Sequence, residues 1–253
     1  MIGNNVYGGG SGGSTKQLGI YPIGTNGMPT GDVIVPDGVG IYYANSISLN
    51  SNPNITSISL PESIDLRNEY VLYGNSKLKT IIFRGNPTFT NIGNYCFRGC
   101  ISLTSISIPN SVKTLGGACF YHCTSLTTIV IPDGVTSLLY SCFHSCNSLT
   151  TITIPNSVVS SYFNVSNSDN VFYGCISLKT VNLSGGWNKS IFISNNTANF
   201  TNVLTHDSML SIFNNLADMA GQTALTITLG TTNLARMSAS EIAIATNKNW
   251  TVA

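Results

Sequence analysis

The sequence predicts a mainly β fold with a minor helical part. It comprises an N-terminal arm (1–31), a solenoid of stacked coils (32–185) and a C-terminal α/β cap (186–253). Three observations predict it. Residues 101–112, 124–135 and 147–158 carry nearly the same text, Ser-Leu-Thr-x-Ile-x-Ile-Pro ending on Val, at a constant offset of 23 residues. Within each copy apolar and polar residues alternate, the period of a strand with one buried face. Beyond residue 205 the spacing changes to three and four, the period of a helix.

The arm comes first. Its Gly8–Gly13 run, broken only by Ser11, is too flexible to form a core. Residues 16–23 read as a strand and 24–31 as turns. Tyr7, Leu18, Ile20 and Tyr21 are the residues through which such an arm would dock. The glycine run has no following Lys and helix, so it is not a nucleotide loop.

The coils follow. Residues 33–39 and 55–61 are weaker copies, while 78–83 and 178–183 match the strand but lack its closing proline. The step to Leu178 is longer than 23, which places an inserted loop rich in Ser and Asn near 160–170. In the copy at 124–135, Leu126, Ile129 and Ile131 point inward, and Thr128 and Val130 point out. Pro132 ends the strand because it cannot donate to a ladder, and Asp133-Gly134 turns the chain. Val135 and Leu138 re-enter the core, Cys142 and Phe143 form the return side, and Cys146 closes the coil. One coil cannot bury its own apolar face, so neighbours must stack and the ends must be covered.

This pattern, with an aromatic residue and Cys before the next Ser-Leu, resembles the BspA-like leucine-rich-repeat family over about residues 32–185. The family's usual Ala-Phe pair stands here as Cys96-Phe97, Cys119-Phe120 and Cys142-Phe143. The resemblance implies a leucine-rich-repeat solenoid serving as a bacterial or phage-borne surface and adhesion module, with no chemistry of its own. The C-terminal segment is similar to one that ends such proteins in gut bacteria and their phages. In it, Asp207 or Ser208 is expected to cap a helix bearing Met209, Leu210, Ile212, Phe213, Leu216 and Met219. A strand over 225–229, a turn at Gly230, a helix from Ser238 or Ser240 to Thr246, and a strand over 250–252 complete it.

Composition narrows the function. Charged residues make up 8% of the chain and net charge is +1, against about 25% charged in typical soluble domains. Such a surface does not attract nucleic acid or anionic lipid. No window approaches the roughly 18 apolar residues of a membrane-crossing helix. The first residues read as no secretory leader, so another route is expected to carry the chain if it acts outside a cell.

Six of the seven cysteines form Cys-x-x-x-Cys pairs, one per coil. A metal site, a disulfide and a buried thiol ladder are the three readings. An odd count at repeat positions favours the ladder, with Cys100, Cys123, Cys146 and Cys175 in one column. No Ser/His/Asp set, paired carboxylates or cofactor loop can be assembled, so neither an enzyme nor a cofactor is expected. Register aligns Arg98, Tyr121, His144 and Tyr173 on successive coils, with His122 in the next column. They form a candidate recognition stripe, or an ordinary variable turn. His206 is expected just before the helix, solvated or capping. Outward hydroxyls on the strands, such as Ser57, Ser105, Thr128, Thr151 and Thr153, form a second row, which suits binding of sugars or a partner; the favoured reading is a solvated strand face of β-prone residues. The leading expectation is a phage virion component, a tail or head appendage docked to other virion proteins through the arm and assembled as a homo-oligomer. It would present the solenoid to a host-surface glycan or protein. The alternative is a bacterial cell-surface adhesin or protein-binding module.

Overall fold

The computed structural model describes residues 30–35, 37, 49, 51–159, 162, 168–192 and 203–253. The arm residues Tyr7, Leu18, Ile20 and Tyr21, and most of the predicted inserted loop, lie outside them. In chain order the elements are β1 (Gly31–Ile34), β2 (Ile55–Leu60), β3 (Thr80–Phe83), β4 (Asn91–Ile92), β5 (Thr114–Leu115), β6 (Thr128–Val130), β7 (Ser137–Leu138), β8 (Thr151–Ile154) and β9 (Thr180–Leu183). After them come β10 (Ile191–Phe192), α1 (His206–Asn215), β11 (Leu225–Thr228), α2 (Thr231–Leu234), α3 (Ala239–Thr246) and β12 (Trp250–Val252).

The repeat text becomes successive coils. β6 pairs with β8 and β8 with β9, all parallel, with Thr128 opposite Thr151 and Thr151 opposite Thr180. β1, β2 and β3 form the same kind of ladder. Side chains alternate as the sequence predicts: Ile129, Ile131, Ile152 and Ile154 are buried, and Val130 stands 68% exposed. The turn amide of Val135 donates to Pro132 O at 2.9 Å. A second parallel ladder, β4–β5–β7, runs along the next side of each coil. The sequence reading missed it because two-residue strands carry no period of their own. There the coils approach so closely that a Cβ on Gly116 would lie 2.5 Å from the carbonyl carbon of Gly93.

The return side holds the largest apolar rings. Phe97, Phe120, Phe143 and Phe172 stack face to face, with centroids 5.1, 5.5 and 6.3 Å apart. Beside them the thiols bond across coils. Cys100 Sγ donates to Leu72 O, Cys123 to Phe97 O, Cys146 to Phe120 O and Cys175 to Phe143 O, at 3.0–3.2 Å. All seven cysteines are buried and free. Burial pushes the Cys100 and Cys175 thiols up to about 12 and the other five up as well, so none is a ready thiolate.

The thiol column starts with two asparagines, which the sequence reading did not place there. Asn75 and Asn52 stand three residues before Leu78 and Ile55, as Cys100 stands before Leu103. Asn75 Nδ2 donates to Leu49 O at 2.5 Å and Leu72 O at 2.7 Å, while its Oδ1 is buried without a partner. Asn75→Ala strips both donors from buried carbonyls and should cost about 2–3 kcal/mol. Asn75→Cys restores one donor and removes the orphaned oxygen, so it should cost less. Urea unfolding of the two variants checks the order, and equal losses would deny the column its cross-coil bonding role.

One seam is open. Leu78 to Leu103 spans 25 residues, where Leu103 to Leu126 and Leu126 to Leu149 span 23. The extra length lies in the turn after β3, which has Arg84-Gly85-Asn86-Pro87 instead of an immediate proline. Lys79 N, Thr127 N, Thr150 N and Lys179 N each donate to the coil before them. Among the described residues no backbone hydrogen bond joins 79–83 to 104–108. Ile81, Ile106 and Ile108 are accordingly 7%, 6% and 5% exposed, against 0% for Ile58 and Ile152. A cleft of about 830 Å³ lies there. On their other two sides the same two coils remain bonded, through β4 and β5 and, on the return side, Phe97 N to Cys119 O at 2.9 Å and Gly99 N to Tyr121 O at 2.8 Å.

The C-terminal elements continue the apolar core. Thr205, not Asp207 or Ser208, caps α1, its Oγ1 accepting from Ser208 N at 3.1 Å. Ser208 is instead buried, accepting from Val181 N at 2.9 Å and donating to Val181 O, which ties the helix to β9. His206 is thus the first helical residue, and its Nε2 meets Glu241 Oε1 at 3.0 Å. Lys248 Nζ donates to Phe213 O, Asn214 O and Leu216 O, placing a cation on the orphan carbonyls at the end of α1. Ser238 opens α3 with a capping box to Glu241, as its sequence predicts. β10, β11 and β12 form a parallel sheet; neither β10 nor α2 was read from the sequence.

Candidate functional site

The backbone builds a column on the return side. Each coil carries a left-handed residue there: Gly74, Gly99, His122, Ser145 and Gly174, with φ between +56° and +77°. A left-handed residue reverses the chain, and glycine adopts it without strain. Its amide donates to the next coil: Gly99 N to Tyr121 O at 2.8 Å, His122 N to His144 O at 2.9 Å, Ser145 N to Tyr173 O at 2.8 Å. The residue before each turn is therefore held in register with its neighbours, at the ladder spacing of about 4.8 Å.

Those residues are Tyr73, Arg98, Tyr121, His144 and Tyr173. Arg98, Tyr121, His144 and Tyr173 were read from register; Tyr73 belongs to the same column and was missed, although it stands five residues before Leu78 as Arg98 does before Leu103. The structure brings them together. Arg98 Cζ lies 4.7 Å from the Tyr121 ring centroid, 5.6 Å from Tyr95 and 5.8 Å from Tyr73. Tyr121 packs on His144 at 4.3 Å and on His122 at 4.5 Å, and His144 on Tyr173 at 4.9 Å. His122 is exposed and the other four predicted residues are half-buried. Beside the column, Tyr70 stacks on Tyr95 at 4.9 Å, and the hydroxyls of Tyr95 and Tyr140 bond at 3.0 Å. That bond and partial burial raise Tyr140 to about 12.

The column is cationic without acidic partners. Among the described residues Arg98 makes no ion pair and no side-chain hydrogen bond; ring faces alone hold it. Burial, then His122 and Arg98, lower His144 to about 4, and its Nδ1 is buried without a partner. The ordinary value is 6.5. As pH falls from 6.5 to about 4, the unfolded chain takes this proton and the folded one does not, so stability drops through that window. His144→Gln should flatten that slope in urea unfolding at pH 7 and pH 4.5, and an unchanged slope would contradict the assignment.

Other groups offer less. Among the described residues no three His, Cys, Asp or Glu side chains stand close enough to hold a metal, and no helix is long and apolar enough to cross a membrane. On the strand face Ser57 Oγ donates to Asp32 Oδ1 at 2.5 Å and Thr153 Oγ1 accepts from Asn182 Nδ2 at 3.5 Å, while Thr127 and Thr150 bond to the backbone of the coil before them.

Comparison with known proteins bears on this arrangement. A family model described as BspA type leucine rich repeat region, six copies, matches residues 33–96 and 90–220. A leucine-rich repeat protein from Bacteroides ovatus is 22% identical over 92% of this chain, which spans 65% of that one, with TM-score 0.51. A leucine rich repeat protein from T. pallidum is 16% identical over 92% of this chain and 94% of its own, with TM-score 0.45. A leucine rich cell surface protein from Faecalibacterium prausnitzii is 16% identical over 89% and 71%, with TM-score 0.42. No curated protein matches the chain. The Bacteroides structure shows the same fold; the match of the family model extends from the coils into α1 and past it.

Proposed function

Because the chain belongs to the BspA-type leucine-rich-repeat family, we propose that it is a non-enzymatic binding module acting at a bacterial surface. It presents the column Tyr73, Arg98, Tyr121, His144 and Tyr173 to a macromolecular partner. One observation carries this: an arginine held on three aromatic faces, with no acidic side chain to neutralise it, in a row that the backbone ladder keeps rigid. Rigid aromatic and Arg side chains dominate binding energy at interfaces because little entropy is lost in fixing them. The C-terminal elements serve this module by covering the last coil, whose edge and core would otherwise meet water.

The virion-component reading is set behind this one. Its docking arm lies outside the described residues, and family membership adds nothing specific to a particle.

The test is adherence. Labelled protein is titrated onto bacterial envelopes and epithelial surfaces, beside a triple variant, Arg98→Gln, Tyr121→Leu and His144→Gln, checked for an unchanged fold by circular dichroism. The variant should lose most of the adherence. If it adheres as well as the parent, the column is not the binding surface.

A further inference from the structure

Resting on the reading of the column as a binding surface, we infer that its ligand is a carboxylated saccharide: a chain of uronic or sialic acid units. The argument begins with Arg98. A guanidinium laid on tyrosine rings is weakly hydrated and keeps its planar donors free, the geometry that takes a carboxylate through two parallel hydrogen bonds. Nothing among the described residues occupies those donors. The carboxylate on a neighbouring column, Glu69, is engaged by Asn94 Nδ2 at 2.8 Å. His122, exposed beside Tyr121, adds an imidazole N–H donor.

The rings supply the rest. Tyr73, Tyr121 and Tyr173 each carry a ring and a polar tip, and while the Tyr121 ring is taken up by Arg98 and His122, the outer two suit a sugar ring with its C–H face and its hydroxyl edge. The three tyrosines recur on every second coil, with Arg98 and His144 between them, so a linear polymer meets rings and nitrogen donors in alternation. The column is bordered on one side by Gly74, Gly99, His122, Ser145 and Gly174 and on the other by Tyr70, Tyr95 and Tyr140, a surface of polar-tipped rings rather than the broad apolar centre of a stable protein–protein interface. Nucleic acid would also bring anions and stacking faces. Its charge density calls for many cations, and this column offers one permanent charge in a chain of net charge +1.

Calorimetry decides it. The full chain is titrated with oligogalacturonate and with oligosialic acid, and with each as its methyl ester, which keeps the rings and removes the charge. At least one free acid should bind, its ester should bind roughly tenfold or more weakly, and Arg98→Gln should weaken the acid by a similar factor while leaving the ester unchanged. The ester comparison needs no variant, so a misfolded Arg98→Gln protein does not spare the proposal. If neither acid binds better than its ester, the proposal is overturned. When that happens while the triple variant still loses adherence, the column remains a binding surface for another ligand. If adherence survives in the triple variant, both readings fall together.

Discussion

Phe120→Ala lowers the stability of the folded chain by about 3–5 kcal/mol, the cost of removing a fully buried aromatic ring that its surroundings cannot refill. Phe120 sits mid-stack, 5.1 Å from Phe97 and 5.5 Å from Phe143, and is 0% exposed. Its backbone also joins two coils, Phe120 N donating to Cys142 O at 2.9 Å. Truncation therefore loosens both neighbours. Phe120→Leu keeps most of the volume and should lose well under half as much. Chemical denaturation measures both. Because coils interact mainly with their neighbours, hydrogen exchange should quicken first in residues 115–146 and only later in β1 and β2. A melting point within a degree of the parent's would mean that the ring stack does not hold the coils together.

The second large effect is expected at Trp187. It is fully buried at the passage from the last coil to the C-terminal elements. Its indole Nε1 donates to Lys189 O at 2.5 Å, and Lys189 Nζ lies 5.1 Å from the ring centroid. Its main chain binds the far end of α1, accepting from Ala217 N at 2.7 Å and donating to Asn215 O at 2.9 Å. Trp187→Ala opens a cavity under that helix and should cost about 3–5 kcal/mol. The loss should be local. Protection of amides in α1 and in β10–β12 should fall, while the ladder β6–β8–β9 keeps its own. Uniform loss over the whole chain would show instead that coils and C-terminal elements unfold as one unit.

What the sequence disclosed, and what it hid, follows from where the information sits. The 23-residue repeat of Leu, Ile and Pro was visible because a buried strand face demands the same residue types on each coil. Register alone aligned Arg98 with Tyr121, His144 and Tyr173, but not their contacts, which depend on rotamers and on left-handed turns at non-glycine residues such as His122 and Ser145. Asn75 escaped notice in the thiol column because amide and thiol look unlike in composition, although both can donate to a carbonyl one coil back. Thr205 was passed over as the α1 cap because Asp207 and Ser208 are equally good cap formers by type; Ser208 is spent instead on the backbone of Val181. The open seam could have been anticipated from the 25-residue step between Leu78 and Leu103.

That seam has a mechanical consequence. A module strung between two surfaces in moving fluid is pulled at its ends, and tension seeks the joint with the fewest bonds in parallel. Here one joint lacks its strand-side bonds and is fastened on its other two sides alone. The molecule should yield there as a pair of jaws does, pivoting on β4, β5 and Phe97, so that stretching lengthens the tether by one bend before any coil unravels.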